Sequence, residues 1–220
     1  MTDILKQIFI VPKCKRCFRP ADSHNLCDTC RAELEKCRIK NASLPVSKKI
    51  DFTDGVYASY KYENAARDVV IGAKFRNPAS FLASLLDDIS IDISDILAQN
   101  NIDMIVPVPS HKSKLYRQEF DLPFEMAKRL AKHTGIPFSD CVKKQIKTAN
   151  QHGLSKEERK KNLVNAFTVT GDVAGKRILI IDDVITTGIT AYHIATELKL
   201  AGRDKVYVWA YTLNIEKGNT

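Results

Sequence analysis

Apolar residues fall in short runs separated by polar stretches, and the period of each run indicates an element. DGVYASYKY, residues 54–62, alternates as a strand does. A helical spacing follows from Glu63 to Phe75 and resumes after Pro78 through FLASLLDDI. MIVPVP, residues 104–109, is a short buried strand entering a loop, and LPFEMAKRLAKHTG is a helix closed by Gly135. VKKQI, AFTVT, KRILIID and KVYVWAYTL are further strands, with the helix TAYHIATELKLAG between the last two. Strands that alternate with helices, several of them apolar at every position, predict a parallel α/β sheet covered on both faces. Residues 147–162 are polar and basic without a period and read as a mobile loop. RIKNASLPVSKKI, residues 38–50, reads as a linker, which divides the chain into an N-terminal module over 1–45 and an α/β domain over 46–220.

Composition narrows the class. The chain has 220 residues, 44% hydrophobic and 27% charged, the profile of a soluble globular protein with one full core. No apolar stretch approaches the roughly 20 residues that span a bilayer, so no transmembrane segment is expected. MTDILKQIFIVPK at the N-terminus is short and interrupted by Lys6, unlike a signal peptide, and the expected location is the cytoplasm. A peripheral seat at the inner face of the membrane is left open. The net charge is +8, concentrated in KCKRCFR and in KKQIKTANQHGLSKEERKK. Such excess fits either solvated surfaces or attraction to the phosphates of a small ligand or a nucleic acid.

Five of the six cysteines precede residue 40, and Cys14, Cys17, Cys27 and Cys30 follow the spacing C-x2-C-x9-C-x2-C. Each C-x-x-C sets two sulfurs on one knuckle, and two knuckles supply the four soft ligands that tetrahedral Zn²⁺ takes. A redox pair is the rival, but a doubled C-x-x-C in a chain without an export signal favours metal. Four closed ligands make the expected zinc site structural. His24 and Cys37 are weaker ligand candidates, with Cys37 expected to pack as a small hydrophobe.

RILIIDDVITTGITAYH, residues 177–193, ends an apolar strand on two aspartates. Ligands of open α/β sheets bind outside the carboxyl ends of strands. The turn that follows, with Gly188, threonine hydroxyls and the amides of a new helix, suits a phosphate. Carboxylates suit sugar hydroxyls, so the pattern points to a phosphorylated ribose. Two alternatives stay open: a metal held by the carboxylates, and a capped helix after a solvated strand end. GDVAGKR is no P-loop, since its glycines are too close and it precedes a strand.

ILIIDDVITTGIT resembles the phosphoribosyl pyrophosphate (PRPP) loop of type I phosphoribosyltransferases. By that resemblance Asp182 and Asp183 meet the ribose hydroxyls, and Thr186, Thr187, Gly188 and Thr190 hold the 5′-phosphate. The four-cysteine finger, a YxYxxxxRxxIxxxK-like segment, the VPVP strand and a K-T-x-x-Q-x-x-L-x-x-x-x-R-x-x-N loop together resemble the ComF family of competence proteins. The matching residues are Tyr60, Tyr62, Lys74, Pro107, Pro109, Thr148, Gln151, Leu154, Arg159, Asn162 and Phe167. That family usually carries R-x-x-x-R-G-F-N-Q after VPVP. Here Arg117 and Phe120 match, Gln118 and Glu119 replace the single glycine, and Asp121 stands where asparagine is expected. Ser110, His111, Lys112, Lys114 and Arg117 would form the diphosphate side, with Lys112 and Arg117 as its principal cations.

The resemblance implies a type I phosphoribosyltransferase-like fold with a small N-terminal zinc-binding module. It also implies a protein that handles incoming single-stranded DNA during natural transformation and holds PRPP with Mg²⁺. The alternative is an active phosphoribosyltransferase that passes ribose 5-phosphate from PRPP to an unknown nitrogen acceptor. A blander alternative is a zinc-stabilised protein that bridges other competence proteins, such as a translocating helicase.

Overall fold

The structure is a computed structural model that describes residues 12–21, 26–40, 42, 46, 49–75, 82, 85, 93–110, 121–144 and 166–214. Helix α1 (Asp28–Glu35) is followed by β1 (Gly55–Lys61), α2 (Asn64–Phe75) and β2 (Met104–Pro107). Then come α3 (Leu122–Thr134), β3 (Val142–Lys144), β4 (Phe167–Val169), β5 (Arg177–Ile185), α4 (Ile189–Leu200) and β6 (Lys205–Leu213). Residues 93–100 are also helical, an element the periodicity did not suggest. Leu82 and Leu85 are helical and fully buried, which agrees with the helical spacing of FLASLLDDI at those two positions.

Four strands form the expected parallel sheet in the order β1-β6-β5-β2. The two central strands are the most apolar: Ile178 to Ile181 of β5 and Val206 to Tyr211 of β6 are buried throughout. Continuous apolar strands need cover on both faces, and both are covered. Leu179, Ile181, Tyr207 and Trp209 pack with α1, α2, α3 and residues 93–97. Ile178, Ile180, Val206 and Val208 pack with α4 and the β3–β4 pair. That pair departs from the expected single parallel sheet. VKKQI and AFTVT contribute a separate antiparallel ladder, Val142 to Val169 through Lys144 to Phe167. Lys143 and Lys144 are both exposed, and a strand that carries solvated charges does not suit the interior of a parallel sheet.

Both edges of the sheet are capped by irregular chain, which blocks edge-to-edge pairing. Beside β2, Ile105 donates its N–H to Pro137 O at 2.9 Å, and Ser139 donates to Ile105 O at 3.0 Å. Beside β1, Ile39 donates to Ser59 O at 2.9 Å and Lys61 donates to Cys37 O at 2.8 Å. The tail of the cysteine module thus pairs with the outer strand.

Helix α3 shows its boundary signals in full. The Asp121 carboxylate accepts from Phe124 N–H, Pro123 sits in the first turn, and Gly135 ends the helix at φ 74°.

Candidate functional site

Two assemblies carry chemistry, one at the end of β5 and one around the cysteines. At the first, the ladder between β2 and β5 ends at Pro107–Ile181, where Val108 N–H donates to Ile181 O at 2.9 Å. The β5–β6 ladder continues to Ile185–Leu213. The two aspartates therefore do not end the strand, as the sequence suggested; they lie inside it, beyond the end of β2. Successive residues of a strand point to opposite faces. Asp183 continues the row of Leu179 and Ile181, and Asp182 continues that of Ile178 and Ile180.

Asp183 is 6% exposed. Its Oδ2 lies 2.7 Å from Lys74 Nζ in the last turn of α2, and its carbonyl accepts from Thr212 Oγ1 at 3.0 Å. A buried carboxylate needs such a counter-ion. Asp182 accepts from the Asp183 N–H at 2.8 Å through Oδ1. Burial and then the Asp183 charge raise its pKa to about 7, against which the Asp183 N–H and Lys74 act.

Asp121 joins this region from the start of α3. Its pKa is raised by burial, opposed by hydrogen bonds from Phe124 N–H and Ser110, and raised again by the charge of Asp183. The sequence marked Asp121 as a departure from a family pattern and Lys74 as a match to one. Neither was assigned to the site, because both meet Asp183 only through tertiary packing.

After β5, Thr186, Thr187 and Gly188 form the turn into α4, with Gly188 left-handed at φ 82°. No side chain caps the helix through Gly188, while Thr187 Oγ1 accepts from Ile189 N–H at 3.4 Å. Thr186, Thr187 and Thr190 are exposed. The structure thus brings Asp182, Asp183, Thr186, Thr187, Gly188 and Thr190 into one strand–turn–helix unit. A helix start of this kind attracts anions. Lys112 and Arg117, with His111, Lys114 and the loop over 147–162, lie outside the described residues.

At the second assembly, the ligand atoms of Cys14, Cys17, Cys27 and Cys30 lie within 4.8 Å of one another. The Cys17 and Cys27 sulfurs are 3.7 Å apart. A tetrahedron with metal–sulfur bonds of about 2.3 Å has edges of about 3.8 Å, so the spacing suits an ion of that type. The thiols sit in unlike surroundings. Hydrogen bonds from the Arg19 backbone and side chain lower Cys17 to about 6, whereas burial raises Cys30 to about 12. A bound cation would hold all four as thiolates and remove that difference. This cluster could hold a metal ion. Cys37 stands apart from it, buried as expected, with its thiol donating to Glu33 O and Glu63 O at 3.5 Å each.

Arg16, between the first two cysteines, fastens the cluster to the rest of the chain. Its guanidinium bonds Glu33 of α1 and, at 2.9 Å, Asp68 of α2, and reaches Cys30 Sγ at 3.7 Å. Its sequence signal was only one positive charge in a basic run.

Comparison with known proteins finds similarities over parts of the chain. The family described as "Phosphoribosyl transferase domain" matches residues 123–206, from α3 into β6. Competence protein F of Haemophilus influenzae is 32% identical over 109 residues, 48% of this chain and 48% of that protein. DNA utilization protein YhgH of Escherichia coli is 37% identical over 108 residues, 49% of this chain and 48% of that protein. In both cases the match spans about half the length of the relative. Competence protein ComFC of Bacillus subtilis is 24% identical over 202 residues, 91% of this chain and 76% of that protein. A solved adenine phosphoribosyltransferase overlays 64% of this chain and 74% of its own, at 20% identity and a TM-score of 0.42. The chain is a homologue of Competence protein F, YhgH and ComFC that matches a phosphoribosyl transferase domain over residues 123–206 and carries a parallel sheet and an N-terminal four-cysteine cluster.

Proposed function

We propose that this chain is a ComF-like competence protein that binds and handles incoming single-stranded DNA during natural transformation and holds PRPP or a related ribose phosphate. The observation that carries the sugar-phosphate half is the unit of two acids, a threonine-glycine turn and a helix start within the matched domain. Asp182 and Asp183 accept from ribose hydroxyls, while Thr186, Thr187, Thr190 and the amides beginning at Gly188 hold the 5′-phosphate. Lys112 and Arg117 serve the diphosphate. Mg²⁺ would neutralise that diphosphate, and the carboxylates of Asp121, Asp182 and Asp183 are oxygen donors of the class it takes. The cysteine cluster holds structural Zn²⁺.

The DNA half is supported by the net charge of +8 and by homologues whose names refer to competence and DNA utilization. A working phosphoribosyltransferase is the second reading, favoured by the same strand–turn–helix unit. Its transition state places positive charge on the sugar, near which ionised Asp182 and Asp183 are favourable.

Titration with Mg²⁺ and PRPP, read by thermal shift, tests the first half. Ligand at a hundredfold above its dissociation constant stabilises by about 2.7 kcal/mol. No shift, with none lost on Asp183→Asn, rejects the sugar-phosphate reading. Single-stranded DNA affinity should fall steeply with salt as counterions are released. Pyrophosphate release from PRPP that needs both Mg²⁺ and Asp183 would favour the enzyme.

A further inference from the structure

A cation from a separate element reaches one of the two acids. Lys74 sits in the last turn of α2, and its Nζ lies 2.7 Å from Asp183 Oδ2. Both sides of this contact are held. Ala65, Ala66, Val69, Val70 and Ala73 pack α2 into the core that includes Leu179 and Ile181 of β5. Arg16 of the cysteine module bonds Asp68 of the same helix at 2.9 Å. Across the contact, Asp183 lies within the β5–β6 ladder, and its carbonyl accepts from Thr212 Oγ1 at 3.0 Å. Lys74 also stands at the C-terminal end of its helix, where the dipole favours a cation.

The two partners differ in access. The Asp183 side chain is 9% exposed, whereas that of Lys74 is 31% exposed and open to a ligand. A carboxylate has several lone pairs and an ammonium more than one N–H, so a single contact exhausts neither. Among the described residues this is the one ion pair that either group makes. Asp183 can therefore still accept from a hydroxyl, and Lys74 can donate to an oxygen beside it. Neighbouring hydroxyls of a ribose need that combination, an acceptor for one hydrogen and a donor to the next oxygen. The same ammonium disfavours a metal ion at Asp183. Mg²⁺ takes oxygens at about 2.0–2.1 Å and gives up its water reluctantly, and a second cation next to Lys74 would be repelled.

We infer that Lys74 is a specificity-determining residue of the ribose-phosphate site, and that its ammonium supplies at Asp183 the charge a divalent cation would otherwise bring. The Lys74–Asp183 pair then takes the sugar's adjacent hydroxyls without a metal. The inference rests on the ribose-phosphate reading above and names the cation on the sugar side of that site. Mg²⁺ belongs with the diphosphate of PRPP, so a ribose phosphate that lacks a diphosphate needs none. A sugar that lacks one of the adjacent hydroxyls leaves the pair half used and is disfavoured.

The test is calorimetric titration of the full, zinc-loaded chain with ribose 5-phosphate in buffer free of Mg²⁺. The parent should bind it, and should bind 2-deoxyribose 5-phosphate about ten- to a hundredfold more weakly, the loss of a charge-assisted hydrogen bond. Lys74→Met should weaken ribose 5-phosphate by a similar factor. Millimolar Mg²⁺ should then restore affinity to this variant while adding little to the parent, because Asp183 without its ammonium accepts the ion. Lys74→Arg should keep most of the affinity. A lysine that served only to stabilise the fold would give no such rescue by Mg²⁺. Should Lys74→Met fail to fold, Lys74→Met with Asp183→Asn removes both charges, and it should bind weakly with or without Mg²⁺. The inference is overturned, and the ribose-phosphate reading stands, if the parent binds ribose 5-phosphate only with Mg²⁺ or does not distinguish the deoxy sugar. The same holds if either variant binds as the parent does, or if Mg²⁺ leaves Lys74→Met unchanged. If neither ribose 5-phosphate nor PRPP binds at any Mg²⁺ concentration, both fall.

Discussion

Asp182 should make the protein less stable as pH rises, and one substitution isolates the effect. An ordinary aspartate titrates at 3.8, and burial beside charged Asp183 moves Asp182 to about 7. Between those values the folded chain holds a proton that the unfolded chain has released. Stability therefore falls as pH rises across this window, and the full penalty is present above pH 7. The gap from 3.8 to about 7, at roughly 1.4 kcal/mol per pH unit, sets an upper bound of about 4 kcal/mol. Asp182 keeps part of its surface in water, which screens the charge and lowers the expected cost to about 2 kcal/mol. Asp182→Asn keeps an oxygen to accept the Asp183 N–H and removes the titration. Urea unfolding can be followed through Trp209, the only tryptophan and fully buried. At pH 8 the variant should be more stable than the parent by about 2 kcal/mol, and at pH 4 the two should converge. Groups remote from Asp182 titrate alike in both proteins and cancel in the difference. Parallel stability curves from pH 4 to pH 8 would refute the argument. The same variant should bind ribose phosphates more weakly, since an amide loses the charge that strengthens bonds from sugar hydroxyls.

Other outcomes follow from the packing. Lys74→Met leaves the Asp183 carboxylate without its 2.7 Å partner and should cost about 1–3 kcal/mol in urea unfolding, less than a fully buried pair because Lys74 is 31% exposed. Lys74→Arg should recover part of it. Leu34→Ala empties a site 1% exposed within the core shared by the cysteine module and the sheet. It should cost roughly 2–5 kcal/mol and shift the single Trp209 transition as a whole. Chelation, or Cys27→Ser, should lower Tm and release one zinc per chain; protein that lacks zinc and is indifferent to Cys27→Ser would remove the metal assignment.

Local signals in the sequence were read well where a local rule sets the structure. The apolar runs of β5 and β6 became the two central strands because every face of a central parallel strand is covered. Asp121, Pro123 and Gly135 bounded α3 because caps act within one turn. The C-x2-C pairs came together because each knuckle is built by its own residues and only the loop between them had to close. What was not legible depends on distant partners. Nothing in VKKQI or AFTVT shows that the two strands pair with each other rather than with the main sheet. Nothing within α2 shows that Lys74 meets a residue more than a hundred positions away, or that Asp68 receives Arg16.

The same distinction accounts for the aspartates. A strand that turns from apolar to acidic looks, along the sequence, like a strand that stops. In the folded chain β2 stops instead, at Pro107, and β6 carries the ladder on to Ile185. Backbone hydrogen bonds on one side thus hold both carboxylates in place, while the other side is released from pairing with β2. That arrangement gives the acids fixed positions and leaves Asp182 with part of its surface in water, which suits the proposed ribose-phosphate site. It also separates their states. Asp183 faces α2 and is neutralised by Lys74, whereas Asp182 faces the other side, close enough to feel the charge of Asp183 and without an ion pair of its own among the described residues. Burial and the neighbouring charge therefore leave Asp182 poised near neutral pH, and ligand binding at Asp182 should couple to proton release.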